Sequence, residues 1–132
     1  MSKPKEPGDI YEQITEISIE NPRYSREAYL FVLEGLEWSM RKLGQRRHLT
    51  GEELTELLTA FARKQFGEMA WFVLQEWGIF KTRDFGEIVY CLIEEELMGK
   101  EPDDRIDDFN EVLDLREVLT ASEFVPGPLQ SQ

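Results

Sequence analysis

The stretch Arg26–Leu43 constrains this chain more than any other, because its large apolar residues fall on two sides of one helix. Tyr29, Leu33, Leu36, Met40 and Leu43 recur at helical steps and make one stripe; Phe31 and Trp38 make a second. A helix that is apolar on two sides sits centrally, with neighbours on both. Ser25 stands where an N-cap is wanted, and Gly44 suits the left-handed residue that closes a helix. Gly35 lies between the stripes and costs about 1 kcal/mol relative to alanine in a helix interior. Close approach of another helix would account for it.

Helical periodicity continues on either side. Asp9 reads as an N-cap, after which Ile10, Ile14 and Ile17 share a face. Asn21-Pro22 ends that helix, since the residue before a proline is pushed out of the α region. Thr50 and Glu53 form a capping box ahead of Leu54, Leu57, Leu58, Phe61 and Ala62. From about Glu68 to Trp77 the apolar residues again lie on two sides, with Met69, Phe72 and Val73 on one and Trp71 and Leu74 on another. Gly67 either separates this helix from the preceding one or bends a single long helix. Thr82 reads as the cap of a helix over Arg83–Met98, with Phe85, Ile88, Val89, Leu92, Ile93 and Leu97 inward and Gly99 at its end. A charged loop, Lys100–Asp108, then leads into Phe109–Leu119, which fits a helix or a strand across Glu111–Leu115. The expected fold is therefore all-α or mainly α, a compact bundle of about five helices, with a small wing-like C-terminal β-hairpin as the alternative for the last part. Residues 1–8 read as a flexible start, 9–120 as the single helical domain, and 121–132 as a disordered tail.

A chain of 132 residues with 41% hydrophobic content can bury a core without metal or disulfide. Its one cysteine, Cys91, rules out an internal disulfide. No apolar run approaches the length that spans a bilayer, and the polar start shows no secretory signal, so the expected location is cytoplasmic. The net charge of −12 is unevenly spread. Met1–Asn21 carries −3, Pro22–Arg83 carries +2, and Asp84–Glu123 carries −11. Such a field argues against nucleic acid and anionic membrane as partners.

Little in the chain carries chemistry. A structural zinc site draws on four Cys or His ligands, and this sequence has one of each. The acidic run Asp103, Asp104, Asp107 and Asp108 departs from a calcium loop, because Arg105 holds a ligand position and no glycine makes the sharp turn. Cys91 lies in the apolar run Ile88–Ile93 and reads as a buried, inert thiol. No phosphate loop, dinucleotide fingerprint or nucleophile elbow occurs. No catalytic, cofactor or metal residue is therefore expected. The residues expected to carry an interaction are basic, Arg41, Lys42, Arg46, Arg47 and His48, and acidic, Glu94, Glu95, Asp103, Asp104, Asp107 and Asp108. Arginine forks suit carboxylates as well as phosphates. The basic loop can thus meet a phosphate, a partner or this protein's own acidic C-terminal third.

The runs YLFVLEGLEWSMRKLGQRRHLTGEEL, FGEMAWFVLQEWGI, DFGEIVYCLIEEELMGK and DDRIDDF resemble a small uncharacterised bacterial family from planctomycete and verrucomicrobial genomes. The likeness covers about residues 10 to 119 and implies no activity. The matching residues are Arg46, Arg47, His48, Phe66, Gly67, Trp77, Gly78, Asp84, Phe85, Gly86, Asp108 and Phe109. A second likeness, over Thr82–Leu115, is to the last helix and wing of winged-helix regulators. It implies a wing tip at Pro102, Asp103, Asp104 and Arg105 and a returning strand at Glu111–Leu115. The reading helix it implies would offer Arg83, Asp84, Glu87, Glu94 and Glu95 to solvent, mostly acids that repel phosphate. The leading expectation is a non-enzymatic protein–protein interaction module with a protein partner or self-association. A winged-helix DNA-binding regulator is the alternative, and a small hydrolytic or metal-dependent enzyme comes third.

Overall fold

Every regular element in the computed structural model, which describes residues 7–121, is helical. The order is α1 (Pro7–Glu20), α2 (Arg26–Leu43), α3 (Gly51–Phe66), α4 (Ala70–Glu76), α5 (Thr82–Glu94) and α6 (Leu115–Thr120). Single 3-10 turns cover Gly67–Met69 and Ile106–Phe109. The fold is thus mainly α, as the periodicity implies. The expected disordered tail falls outside the described residues save for Ala121, as does most of the expected flexible start. Helix α1 begins two residues earlier than Asp9, with Pro7 in the first turn, where its fixed φ suits a helix and no N–H is missed.

Helix α2 is central, packed against α1, α3 and α5. Its second stripe carries the middle of the core. The Phe31 ring lies 5.2 Å from Phe61, 5.6 Å from Trp77, 6.3 Å from Phe66 and 6.5 Å from Phe85. Tyr29, Val32 and Ala28 are also buried, whereas Leu33 and Leu36 of the first stripe are only half-buried. Gly35 is explained: a Cβ there would come within 2.4 Å of Leu58 Cδ2 and 3.1 Å of Phe61 Cδ2. The glycine lets α3 lie directly on α2. Gly44 closes α2 at φ 76°, its N–H donating to the carbonyls of Met40 and Arg41. Ser25 holds the N-cap position, but its hydroxyl makes no cap bond.

The capping box at Thr50 and Glu53 forms in both directions, at 3.1 and 2.9 Å. Gly67 breaks the chain between α3 and α4, so one long bent helix does not form. Helix α4 ends in a Schellman motif, with Gly78 at φ 96° and Ile79 N–H bonded to Leu74 O at 2.9 Å. A Cβ on Gly78 would meet the Arg23 carbonyl at 2.5 Å, which shows how closely the α1–α2 and α4–α5 connections pack.

Three expectations about the C-terminal third are corrected. Thr82 is the first residue of α5 rather than its cap. The helix stops at Glu94, not Met98, through a second Schellman closure in which Glu96, not Gly99, takes the left-handed conformation at φ 63°. The wing-like hairpin is absent among the described residues. The Asp108 carboxylate accepts the Arg105 N–H at 3.1 Å and starts the 3-10 turn that sends Phe109 inward. Thr82 Oγ1 then donates to Phe109 O at 2.6 Å and accepts Val112 N–H at 3.2 Å. A single threonine thus takes up main-chain groups that a hairpin ladder would use. The Phe109 ring fills a slot between two glycines, since a Cβ on Gly86 or Gly51 would come within 2.9–3.1 Å of it or of Asp108. Asp114 caps α6, accepting Glu117 N–H at 3.0 Å, and Leu115 and Leu119 are buried as α6 packs on α4.

Candidate functional site

Two segments expected to interact are brought face to face. After α2 the chain runs through Arg46, Arg47 and His48 to the buried Leu49, and this loop lies opposite the acidic loop that follows α5. His48 Nε2 and Asp104 Oδ1 are 3.0 Å apart and join the two. Beneath them is a cavity of about 530 Å³, with Leu36, Met40, Ile93 and Met98 in its wall. Tyr90 also borders it, and the phenol oxygen is buried without a hydrogen-bond partner. Burial first, then the charges of Asp104 and Asp108, push the Tyr90 pKa upward.

The two arginines of the loop are held by glutamates on their own side. Arg46 donates to both Glu37 oxygens at 2.8 and 2.7 Å. Arg47 donates to Glu53 at 3.3 Å and to the His48 carbonyl at 3.0 Å. The main-chain N–H of Thr50, and then Arg47, hold the Glu53 carboxyl below the usual carboxylate range. Of the other basic candidates, Lys42 lies 5.5 Å over the Trp38 ring and Arg41 is exposed. The basic spot therefore carries far less free positive charge than its sequence implies.

The acidic candidates do not converge. Asp107 pairs with Arg83 at 2.8 Å, Asp104 with His48, and Asp108 turns back on its own main chain. Asp103 and Glu94 are exposed, while the Glu95 carbonyl accepts from Gln13 of α1 at 3.1 Å. Among the described residues no group of three or more His, Cys, Asp or Glu side chains is placed to hold a metal ion. Cys91 is half-buried rather than buried, and desolvation raises its thiol pKa, which keeps it out of the nucleophilic thiolate form.

Asp84 is the largest departure from expectation. Placed on a solvent face by the winged-helix likeness, it is 1% exposed. Its Oδ1 accepts from Tyr24 Oη at 2.6 Å and from Arg23 at 3.2 Å, and its Oδ2 accepts the main-chain N–H groups of Phe80 and Lys81 at 2.8 and 3.0 Å. Burial and the Asp84 carboxylate drive the Tyr24 pKa far above its ordinary value. Four donors saturate the carboxylate, so it joins the α1–α2 connection to the start of α5 rather than facing a substrate. The acid three residues into α5 was the sequence signal for such a cap.

The surface that sequence reasoning missed is the outer side of α4. Ala70 and Leu74 are buried against the core, while Phe72 is 56% exposed and Met69, just before the helix, 58%. Phe80, beyond the helix, is 51% exposed and meets the half-buried Trp71 edge-on at 6.5 Å. In a helix this short, apolar on two sides, periodicity gives two faces without saying which one the core takes. Compared with known proteins, the chain matches no family model, no curated protein and no solved structure.

Proposed function

We propose that this protein is a non-enzymatic interaction module that docks a protein partner through the outer face of α4. The observation that carries this reading is the exposure of Met69, Phe72 and Phe80, each more than half open to solvent, with Phe80 edge-on to the ring of Trp71. Single exposed apolar residues are ordinary, but grouped aromatic and methionine side chains mark contact surfaces. Aromatic anchors of this kind supply most of the binding energy where they enter a partner's pocket. The proposed membership of an uncharacterised bacterial family brings no activity to weigh against this. The regulator alternative needs basic side chains free for phosphate, yet Arg46 and Arg47 each have a glutamate bonded to them.

The test is differential capture by chemical cross-linking in lysate, using the full chain and a Phe72→Ser/Phe80→Ser variant whose helical circular dichroism matches it. The expected result is a defined cross-linked species with the parent chain that the variant loses. Identical cross-linking profiles for the two proteins would refute the assignment of this face.

A further inference from the structure

The cavity beneath the loop from Arg46 to Leu49 shares no residue with the exposed α4 face and has a chemistry of its own. Leu36 and Met40 of α2, Leu54 of α3, and Val89 and Ile93 of α5 meet Met98 around it. Its volume of about 530 Å³ lies within the range of small-molecule sites, which combine an apolar wall with a few placed polar groups. Tyr90 supplies such a group. Its phenol oxygen is buried and has no hydrogen-bond partner. Burial, and then the charges of Asp104 and Asp108, keep that oxygen protonated. Both carboxylates also line the cavity, so a neutral hydroxyl stands at its polar end. The charged lining, by contrast, is already answered. Arg46 and Arg47 are bonded to Glu37 and Glu53. Asp104 faces His48 through one oxygen at 3.0 Å and accepts the Glu101 N–H through the other at 2.8 Å. Asp108 accepts the Arg105 N–H. Lys100, Glu101 and Arg105 complete the charged lining, and all three are exposed to water. An ionic ligand entering here would have to break a pair or approach a like charge.

We propose that this cavity binds an uncharged, mainly apolar small molecule, a ring alcohol or phenol, whose hydroxyl pairs with Tyr90 Oη and whose hydrocarbon body lies against Leu36, Met40, Val89, Ile93 and Met98. A hydroxyl both donates and accepts, so one contact satisfies the ligand oxygen and the Tyr90 oxygen together. Leaving a buried polar group unpaired is costly, and a ligand that supplies the missing bond recovers that cost. The ring body gains by leaving water. Met40 and Met98 are flexible thioethers, which adapt a wall to the shape of what it holds.

The probe is 2-naphthol, compared with naphthalene, 2-naphthoate and 2-naphthylmethylammonium, each followed by equilibrium dialysis against the full chain. 2-Naphthol is expected to bind saturably and most tightly, naphthalene roughly tenfold more weakly, the scale of one hydrogen bond, and the two ions more weakly still. Tyr90→Phe should bring 2-naphthol down to the level of naphthalene and leave naphthalene unchanged. Ile93→Trp and Met98→Trp put a ring into the cavity from the helix and from the loop, and each should abolish binding while helical circular dichroism matches the parent. Phe72→Ser/Phe80→Ser should leave every affinity as it was. Equal binding of 2-naphthol to the parent and to Tyr90→Phe would overturn the pairing with Tyr90 and the alcohol class with it. Tighter binding of either ion would overturn the uncharged class. Binding that survives both tryptophan variants, or that is lost on Phe72→Ser/Phe80→Ser, would put the probe outside the cavity and overturn the site. Failure of all four probes to bind saturably would overturn it as well.

Discussion

Gly86 and Phe109 show how much of this fold rests on single residues. A methyl on Gly86 would sit 2.9 Å from the Phe109 Cβ and Cγ, atoms close to the main chain that cannot swing aside. Alanine would gain about 1 kcal/mol of helix propensity, but overpacking of this kind costs about 1–3 kcal/mol. Gly86→Ala is therefore expected to be a net loss of up to about 2 kcal/mol in urea unfolding. Gly99→Ala, where nothing lies within 4 Å, is the matched control and should stay within about 0.5 kcal/mol of the parent. Glu96 presents the reverse case. At φ 63° it holds the left-handed position of the α5 closure with a side chain that disfavours it. Glu96→Gly should raise stability by about 1 kcal/mol in thermal unfolding, since the strain removed exceeds the added entropy of the unfolded chain. Neither position could be weighed from sequence. Gly99 looked the better terminator because glycine is the usual residue there, and the ring that fills the Gly86 slot arrives from 23 residues downstream.

At the scale of elements, legibility followed periodicity and caps. Helices α2 and α3 were readable because Ser25, Gly44 and the Thr50–Glu53 box bound apolar repeats several turns long. The ambiguity lay where one element has two apolar sides. In α2 the sequence leaves open which stripe is deeper, and the packing of Gly35 against Leu58 and Phe61 decides it in favour of the Phe31 side. Leu36 consequently lines the cavity instead of filling the core. Leu58→Ala, at a fully buried site, should cost about 2–5 kcal/mol, the range for large-to-small changes in a tight core. Leu36→Ala should cost under about 2 kcal/mol, because part of its surface is already in water. Chemical denaturation of the two variants side by side checks the order, and an equal or larger loss at Leu36 would mean that the α2 stripes are misassigned. The stretch after α5 was least legible. Its main-chain groups are satisfied by Thr82 and Asp108 side chains instead of by a repeating ladder, so no period exists to detect.

For the whole molecule, acids held neutral by desolvation are expected to lower stability at alkaline pH. Tyr24, Tyr29 and Cys91 all have pKa values raised chiefly by burial. In the unfolded chain they lose protons near their ordinary values, about 8.5 for a thiol and about 10 for a phenol. The folded state keeps those protons to higher pH, so it binds more protons than the unfolded state above that range and loses stability as pH rises. Urea midpoints should therefore be insensitive to these three groups below about pH 8 and fall progressively above about pH 10. Absorbance near the phenolate band should rise together with unfolding. The charge distribution also bears on the choice between the two leading functional proposals. A DNA-binding protein must place lysine and arginine against phosphates, and its affinity then falls steeply with salt. Here Arg46 and Arg47 are bonded to Glu37 and Glu53, Arg83 to Glu87 and Asp107, and Arg23 to Asp84. Opening those pairs would leave the same carboxylates beside the phosphates, within a molecule of charge −12. No appreciable binding to mixed-sequence duplex DNA is expected at physiological salt. The measurement is a gel-shift titration at two salt concentrations. Tight, salt-sensitive retention that disappears on Arg46→Ala/Arg47→Ala would favour the regulator over the interaction module, because it could arise only if those arginines exchanged their glutamates for phosphate. Retention lost on Arg83→Ala alone would instead place the first turn of α5 against the duplex, where Arg83 now holds Glu87 and Asp107.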